Sequence, residues 1–600
     1  MNTGEINLLI GKIRRKEGVR QETLAMGICS EQQISKIEKG IVTPEFFLSE
    51  VLMQRLGKTL DKMEIILSLD EYEEIEERDN IIDDLRMGRL VEAEERLGNF
   101  CSDAAGSQPM REMNRCRLQG VLAYEKGDYE AAINCLRHAA SLSMGEISRI
   151  DFDARLLAGI ELETLILFAQ AQLAVGEWRE AWKLLECVKG YVCKKITDEE
   201  ELVKFKPKIA AVLGGIYIRV KKYDLCLNLC EEALELLRNQ GMVQCMTLLA
   251  ELLLTAYERT GGRDKGKKLV AWKKTLEDVY LHFGLNVEMV NKLYFNCCIS
   301  QYYLAGEIIR EERKARGLSQ EQLIQGIYRN TETLSRIENG KMPDSKKLQM
   351  LFDRLGIGKY RYTGRVITDE YSVLELDTEI SILLCRKDYK NAISKIEKLR
   401  KELDMSIAEN RQLVECFEIN QKYMEGKISP QEAIEQTKQI LSLTYNGNNK
   451  RVPFSNEALL LNQICNYLVY MRCFHTSVEM QEKVIEIYQN SRVNLRYHYR
   501  MAYLIIGNMS RNMEYMGILG EAEKWSDFGV VGYLLNGKGN KIHLFLGNLI
   551  GISEAHNMKN ACEAYLKWAY YFTDIFQQYH DQKYFEKYYL ERFPSDSPWY

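Results

Sequence analysis

Proline is scarce in this 600-residue chain, with 8 in all, far below the usual fraction of about 5%. Proline lacks an amide hydrogen and clashes with the preceding turn, so helix interiors exclude it. Its scarcity predicts long uninterrupted helices and an all-α fold. The 16 cysteines include no Cys-x-x-Cys pair, and Cys226, Cys230, Cys297 and Cys298 sit inside apolar patterns. That usage predicts reduced thiols in a cytoplasmic protein and excludes a disulfide framework. The 7 histidines are dispersed, with neither an HExxH nor a Cys/His ligand spacing, so no metal and no cofactor are expected. No apolar run reaches the length of about 18 residues that would suggest a membrane span, and Met1 to Glu5 lack the basic-then-apolar order of a secretion signal. An excess of positive charge is also missing. With a formal net charge of −5, nucleic acid would have to be held by local basic clusters.

What the chain does have, twice, is one short helical unit. Gly18-Val19-Arg20-Gln21-Glu22-Thr23-Leu24 is followed, after a turn, by Ile34-Ser35-Lys36-Ile37-Glu38-Lys39-Gly40. Gly317-Leu318-Ser319-Gln320-Glu321-Gln322-Leu323 is likewise followed by Leu334-Ser335-Arg336-Ile337-Glu338-Asn339-Gly340. Gly18 and Gly317, Gln21 and Gln320, Pro44 and Pro343, and Gly57 and Gly356 are each 299 residues apart. The same offset relates Ala93 to Ala392, Tyr124 to Tyr423 and Gly127 to Gly426, and Trp178 pairs with Phe474 after a small drift. The pattern is that of a tandem duplication.

In the first copy Ile6, Leu9, Ile10 and Ile13 fall at helical spacing, and Gly18 supplies a left-handed terminator. Ser30 with Gln33 reads as a capping box opening a further helix. Ile34 and Ile37 would face inward and leave Glu31, Gln32, Gln33, Ser35 and Lys36 outside. Gly40 and Pro44 end that helix. In the second copy Asn330 takes the capping place, with Thr331, Glu332, Thr333, Ser335 and Arg336 on the outer side. A short helix, a tight turn and a second helix with a polar outer face make a helix-turn-helix, whose second helix can enter the major groove.

The pattern Gln21…Leu24…Gly27-Ile28-Cys29-Ser30…Ile34-Ser35-Lys36-Ile37-Glu38-Lys39-Gly40…Pro44 resembles the Cro/repressor-type domains of peptide-sensing regulators of the Rgg, PlcR and PrgX kind. The second unit departs from that family at its turn, where Tyr328-Arg329-Asn330 is one residue longer and lacks Cys-Ser. The resemblance implies a double-stranded DNA partner, a short signalling peptide bound by helical repeats, and a homodimer or an intramolecular pseudo-dimer.

Between and after the two units the chain reads as helical hairpins. Gly120, Gly127, Tyr129, Ala132 and Ala139 sit where a tetratricopeptide repeat places its small packing residues and its turn. Gly214, Tyr217, Tyr223 and Ala233 repeat most of that set. The spacing of turns is roughly 40 to 50 residues, longer than the strict repeat. The expected organisation is a helix-turn-helix domain at 1–70, a tetratricopeptide-like array at 71–303, a second helix-turn-helix domain at 304–362 and a second array at 363–600. Val287 to Tyr303 reads as an amphipathic helix closing the first array.

Arg14, Arg15, Lys16 and Arg20, with Arg310, Arg313, Lys314, Arg316, Lys346 and Lys347, could neutralise phosphates and set register. The DNA-facing set is Arg20, Gln21, Glu31, Gln32, Gln33, Ser35 and Lys36 in the first unit, and Gln320, Thr331, Glu332, Thr333, Ser335 and Arg336 in the second. Glutamine can read adenine, arginine guanine, and a carboxylate can accept from cytosine. The family resemblance implies asparagines that pair with peptide backbone, and an amide side chain offers both a donor and an acceptor to a peptide bond. Asn462, Asn466, Asn508 and Asn548 recur along the second array, and Arg511 could neutralise a carboxylate. The corresponding helices of the first array carry no asparagine. Gly532 to Gly539 copies a phosphate-binding loop except at its last place, but it lies between helices and reads as a plain turn. No enzyme is expected. The competing reading is a helical-repeat scaffold whose helix-turn-helix units grip protein instead of DNA.

Overall fold

Apolar side chains at helical spacing draw the start of the chain into four short helices, Ile6–Lys16, Gln21–Ala25, Glu31–Glu38 and Phe46–Arg55. Ile10, Leu24, Ile34, Ile37 and Leu52 are fully buried where these meet. In this computed structural model, which describes residues 5–102, 109–297, 300–447 and 449–593, the unit recurs as Ala305–Ala315, Gln320–Ile324, Thr331–Glu338 and Ser345–Arg354. Residues 1–4 and Cys298 lie outside the described part.

The same hydrogen bonds close both units. Arg14 pairs with Glu38 and donates to the Val19 carbonyl at 2.7 Å, and Gln21 Nε2 donates to Glu38 at 2.8 Å. Arg313 pairs with Glu338 at 2.7 Å and donates to the Leu318 carbonyl at 3.0 Å, and Gln320 Nε2 donates to Glu338 at 2.9 Å. A charged pair bonded in this way joins the first helix, the turn and the third helix into one body. The expected capping box at Ser30 is half formed. Ser30 Oγ accepts from the Gln33 amide at 3.2 Å, and no return bond from Gln33 is present. Asn330 caps as expected, accepting from Thr333 N–H at 3.3 Å.

Each unit is followed by helical hairpins packed side by side. In the first array they begin with Leu69–Arg86 and end with Arg263–His282; in the second they run from Tyr371–Cys385 to Tyr579–Arg592. Small residues set the close approaches, as the spacing predicted. A Cβ at Gly120 would stand 2.7 Å from Leu136 Cγ, and one at Gly214 would stand 3.0 Å from Cys230 Sγ. The interhelical turns pass through left-handed backbone at matching places, Gly88 and Lys387, Gly176 and Arg472, Lys221 and Gly517, Gly261 and Asn557. Only half of those are glycine in each pairing, so the conformation has outlasted the residue type.

The all-α expectation holds for the chain as a whole, and two local expectations fail. Val287 to Tyr303 is not a helix. Its described residues form a single tight turn, Val287–Val290, irregular chain through Cys297, and strand β2, Gln301–Leu304. Met289, Val290, Leu293, Tyr294, Phe295 and Cys297 are all buried, so the apolar run is covered on every side and needs no helical face. The N-terminal unit is also not purely helical, because Met63–Leu67 forms strand β1. With β3, Tyr362–Gly364, these make a sheet in the order β2-β1-β3.

That sheet joins the two halves. β1 and β2 pair in parallel, Glu64 opposite Gln301. β1 and β3 pair antiparallel, with Glu64 opposite Thr363 at the centre. Glu64 and Thr363 are 299 residues apart, so the pairing is two-fold about equivalent positions. A second such contact lies between the arrays. Met242 faces Lys538 in an antiparallel bridge. Val243 N–H donates to the Gly537 carbonyl at 3.0 Å and Gly539 N–H to the Gly241 carbonyl at 2.9 Å. Met242 and Lys538 are 296 apart, as Trp178 is from Phe474. Contacts in which i meets j′ and j meets i′ mark an isologous, two-fold interface. The stretch from Gly532 to Gly539, which resembled a phosphate loop, is the end of the helix Leu519–Leu535 and the bend that makes this bridge.

Candidate nucleic-acid interface and peptide groove

In the first unit the helix Glu31–Glu38 buries Ile34 and Ile37 and turns Glu31, Gln32 and Lys36 to solvent, with Gln33 and Ser35 half-buried. Arg15, Lys16, Arg20, Lys36 and Lys39 are exposed and form no ion pair among the described residues. They leave a positive rim beside an uncharged amide pair, Gln32 and Gln33. The second unit presents the same geometry with several of its charges paired, while Arg329, Lys341 and Lys346 stay exposed. Glu332 and Arg336 are exposed but pair with each other at 2.5 Å. Lys314 pairs with Glu311 at 3.3 Å, Arg316 with Glu312 at 3.5 Å, and Lys347 with Asp344 at 3.5 Å. Thr331, Thr333 and Ser335 are half-buried.

Four of the expected DNA contacts are therefore reassigned. Arg14 and Arg313 are committed to Glu38 and Glu338, so they are internal staples and not phosphate ligands. Gln21 and Gln320 spend their amide nitrogens on the same two glutamates. All four are half-buried at the turn, and spacing alone does not tell a half-buried polar side chain from an outward one.

The first unit is also fastened to its array. Arg55 Nη1 donates to the carbonyls of Leu24 and Met26 at 3.1 and 2.6 Å, and Nη2 reaches both carboxylate oxygens of Glu161 at 3.0 and 3.1 Å. Glu161 caps the helix Gly159–Ala174 by accepting from Ala158 N–H at 2.7 Å. Gly27, with positive φ, passes so close to the next element that a Cβ would stand 2.5 Å from the Ser143 carbonyl. At its counterpart Gly326 nothing lies within 4 Å. The second unit hangs instead on Glu312, which pairs with Arg451 at 2.6 Å, both almost fully buried.

The asparagines of the second array separate into two groups. Asn508, Arg511 and Asn548 line one cleft of about 530 Å³, within the size range of small-ligand sites. Asn508 Nδ2 donates to Asn462 Oδ1 at 2.9 Å, so Asn462 lies behind the cleft and orients Asn508. Asn548 Nδ2 donates to the Gly507 carbonyl at 3.1 Å and to Ser510 Oγ at 3.3 Å. Arg511 Nε is buried without a hydrogen-bond partner. Asn466 is half-buried and does not line the cleft. Tyr503, Glu514, Tyr515, Phe545, Glu554 and Tyr588 complete the walls. Burial raises the Glu514 carboxyl above its ordinary value. Reading asparagines alone missed these residues. The tyrosine-rich helix Tyr579–Arg592, with Tyr584 and Tyr588 four apart, was the available signal. In the first array Val212 and Leu252 stand at the positions of Asn508 and Asn548.

Residues 309–359 match the family model described as helix-turn-helix. That segment is a helix-turn-helix domain. It is the unit whose turn departs from the peptide-sensing pattern, and it shares the arginine–glutamate–glutamine staple of residues 6–55. No curated protein sequence matches the chain. Among solved structures the chain is similar to Bacillus thuringiensis PlcR in complex with the peptide PapR7 and DNA. The identity is 18% and the TM-score 0.34, over 47% of this chain and 98% of PlcR. It is also similar to the competence regulator ComR from Streptococcus vestibularis in complex with its cognate signaling peptide XIP. There the identity is 14% and the TM-score 0.29, over 48% of this chain and 97% of ComR. A longer match, to the APC/C hetero-tetramer Cut9-Hcn1, covers 84% of this chain at 12% identity and a TM-score of 0.24. At these values none of the three assigns a ligand or an operator to this chain. Among the described residues no group of His, Cys, Asp or Glu could hold a metal ion, and no helix is long and apolar enough to cross a membrane.

Proposed function

We propose that the chain is a sequence-specific DNA-binding transcriptional regulator that carries both half-site readers in one polypeptide and senses a short peptide in its second array. The two-fold pairing of Glu64 with Thr363 carries the reading. It relates the strands that follow the two helix-turn-helix units by a two-fold axis, the symmetry of a dimer interface, and dimeric regulators of this type address half-sites about 34 Å apart. The outer faces differ, Glu31-Gln32-Gln33 against Thr331-Glu332-Thr333, so the operator should consist of two unlike half-sites. The peptide would lie in the cleft of Asn508, Arg511 and Asn548, with the amides on its backbone and Arg511 on a carboxylate. A ligand that binds one arrangement of the arrays better than another shifts the orientation of the units joined to them.

Selection of binding sites from a random DNA pool, followed by footprinting, tests the first part. One chain should protect an asymmetric site, and protection of a perfect palindrome, or recovery of no enriched sequence, would sink it. For the second part, Asn508→Ala and Asn548→Ala should each weaken binding of the signalling peptide encoded nearest the gene, while Asn466→Ala should not. Equal losses in all three would place the peptide elsewhere.

A further inference from the structure

A second charged cavity lies apart from the asparagine cleft. A space of about 470 Å³ opens where the first helix-turn-helix unit, the first array and the second array meet. Phe47, Glu50 and Gln54 of the helix Phe46–Arg55 form one wall, Arg78, Asn114 and Arg117 of the first array another, and Arg496, Tyr503 and Phe528 of the second array the third. Most of its charges are already closed. Arg117 pairs with Glu163 at 2.6 Å, Arg86 with Asp83 at 2.8 Å, Arg496 with Asp83 at 2.8 Å, and Lys204 with Asp61 at 2.6 Å. A polyanion or a polyamine would meet a wall of both signs and gain nothing from it.

Two groups are left over. Glu50 makes no hydrogen bond and no ion pair among the described residues. Arg78 gives only its Nε, to Asp79 Oδ1 at 3.0 Å, which leaves both Nη nitrogens unbonded. Glu50 and Arg78 are too far apart to form an ion pair, beyond 4.0 Å, yet each is an electrostatic neighbour of the other. A carboxyl with no hydrogen-bonded partner and a guanidinium with two open nitrogens, facing one cavity, suit one molecule bearing both complementary charges. Phe47, Ile82, Ile160 and Phe295 supply an apolar side to the same space.

We propose that this cavity is a second ligand site for a small zwitterion with an apolar side chain, of amino-acid or dipeptide size, its ammonium on Glu50 and its carboxylate on Arg78. Bound there, it would join the helix that carries Arg55 to both arrays at once and so fix the first DNA-binding unit. The site shares no residue but Tyr503 with the asparagine cleft, and its ligand is independent of the peptide proposed for that cleft.

The test uses the full chain, with thermal melts and titration calorimetry against the free proteinogenic amino acids and a set of dipeptides at about 1 mM, where a ligand of that affinity is detectable. At least one apolar zwitterion should raise the melting temperature, and its N-acetylated and C-amidated forms should not. Glu50→Gln and Arg78→Gln should each weaken binding roughly ten-fold or more, the scale of a lost charge-assisted hydrogen bond, and Asn508→Ala should leave it unchanged. The proposal is overturned if no probe binds, if the blocked forms bind as well as the free ones, or if Asn508→Ala removes the effect. The blocked-ligand comparison needs no variant, so it stands even if a substituted protein fails to fold.

Discussion

Arg55 and Arg354 hold the same two carbonyls of their own helix-turn-helix units, but only Arg55 continues to a buried carboxylate. Arg354 Nη1 donates to Leu323 and Gln325 at 2.8 and 2.6 Å and stays exposed. Arg55 makes the corresponding bonds to Leu24 and Met26 and then a two-pronged contact with Glu161, both side chains fully buried. A duplicated residue thus performs its local task in both copies and a second task in one. The first unit is set rigidly on its array, and the second is held from a different face, through Glu312 and Arg451.

Removing Glu161 should uncouple the first unit. Glu161→Ala leaves the Arg55 guanidinium buried and unpaired, a change that costs about 3–5 kcal/mol. Hydrogen exchange should accelerate across residues 6–55 while residues 305–354 keep their protection. Arg354→Ala, which breaks two bonds at the surface, should cost about 1–3 kcal/mol and leave the first unit unchanged. Equal acceleration in both units after Glu161→Ala would refute the one-sided anchor.

The duplication was legible because turn glycines and capping residues answer to local backbone geometry. Gly18, Gly40, Gly317 and Gly340 all take positive φ, and each could be recognised without knowing what lay beside it. The outward faces of the two second helices were legible for the same reason, through Ile34 with Ile37 and Leu334 with Ile337. The sheet was not. β1 is buried along all five residues, so it shows no alternation, and its partners come from about 240 and 300 residues away. The staples Arg14–Glu38 and Arg313–Glu338 were hidden because an arginine beside a turn reads the same whether it faces phosphate or a carboxylate. The asparagine cleft was half legible. Asn508 and Asn548 stood out by repeat spacing, and the tyrosines that wall them arrive from the last helix.

One lysine shared by two acids gives a pH dependence. Lys204 lies 2.6 Å from Asp61 and 2.7 Å from Glu201. It cannot neutralise both. Asp61, although buried, is held at about 2 by Lys204 and by hydrogen bonds from Ser300 and Thr59. Burial, with Asp61 and Glu50 nearby, pushes Glu201 up to about 7. A carboxyl raised on folding stabilises the native state fully below its unfolded value and loses that contribution as pH rises through its folded one. The contribution of Glu201 to stability should therefore be lost between about pH 5 and about pH 8, and Glu201→Gln should remove that component from the pH profile of the melting temperature. An unchanged slope in the variant would assign the titration to another group.

The two-fold bridge can be tested at Gly537. Its φ of +66° is strained for any side chain, and a Cβ would stand 2.8 Å from both Cys297 Sγ and the Phe295 ring. Left-handed backbone costs about 1–2 kcal/mol for an L-residue, and overpacking about 1–3 kcal/mol more. Gly537→Ala should lower the melting temperature and speed exchange of the Val243 amide, which donates to the Gly537 carbonyl. Exchange at Val19 and Leu318, inside the helix-turn-helix staples, should not change.

The DNA-binding faces differ in how much of their charge is free, and substitutions should reveal it. Arg20 in the first unit has no acidic partner, so Arg20→Ala should weaken binding by a similar factor on every sequence and reduce the salt slope by about one. Gln33→Ala should cost about 1–3 kcal/mol and relax preference at one base pair of one half-site. In the second unit Arg336 is closed on Glu332, an exposed pair worth about 0.3–0.5 kcal/mol. Glu332→Ala should leave stability almost unchanged, strengthen binding, and steepen its salt dependence by releasing the arginine. Gel shifts at two salt concentrations on a site selected from random DNA measure all three. If Arg20→Ala leaves the salt slope unchanged while Glu332→Ala weakens binding, the second unit is the principal DNA contact and the free basic rim of the first serves another partner.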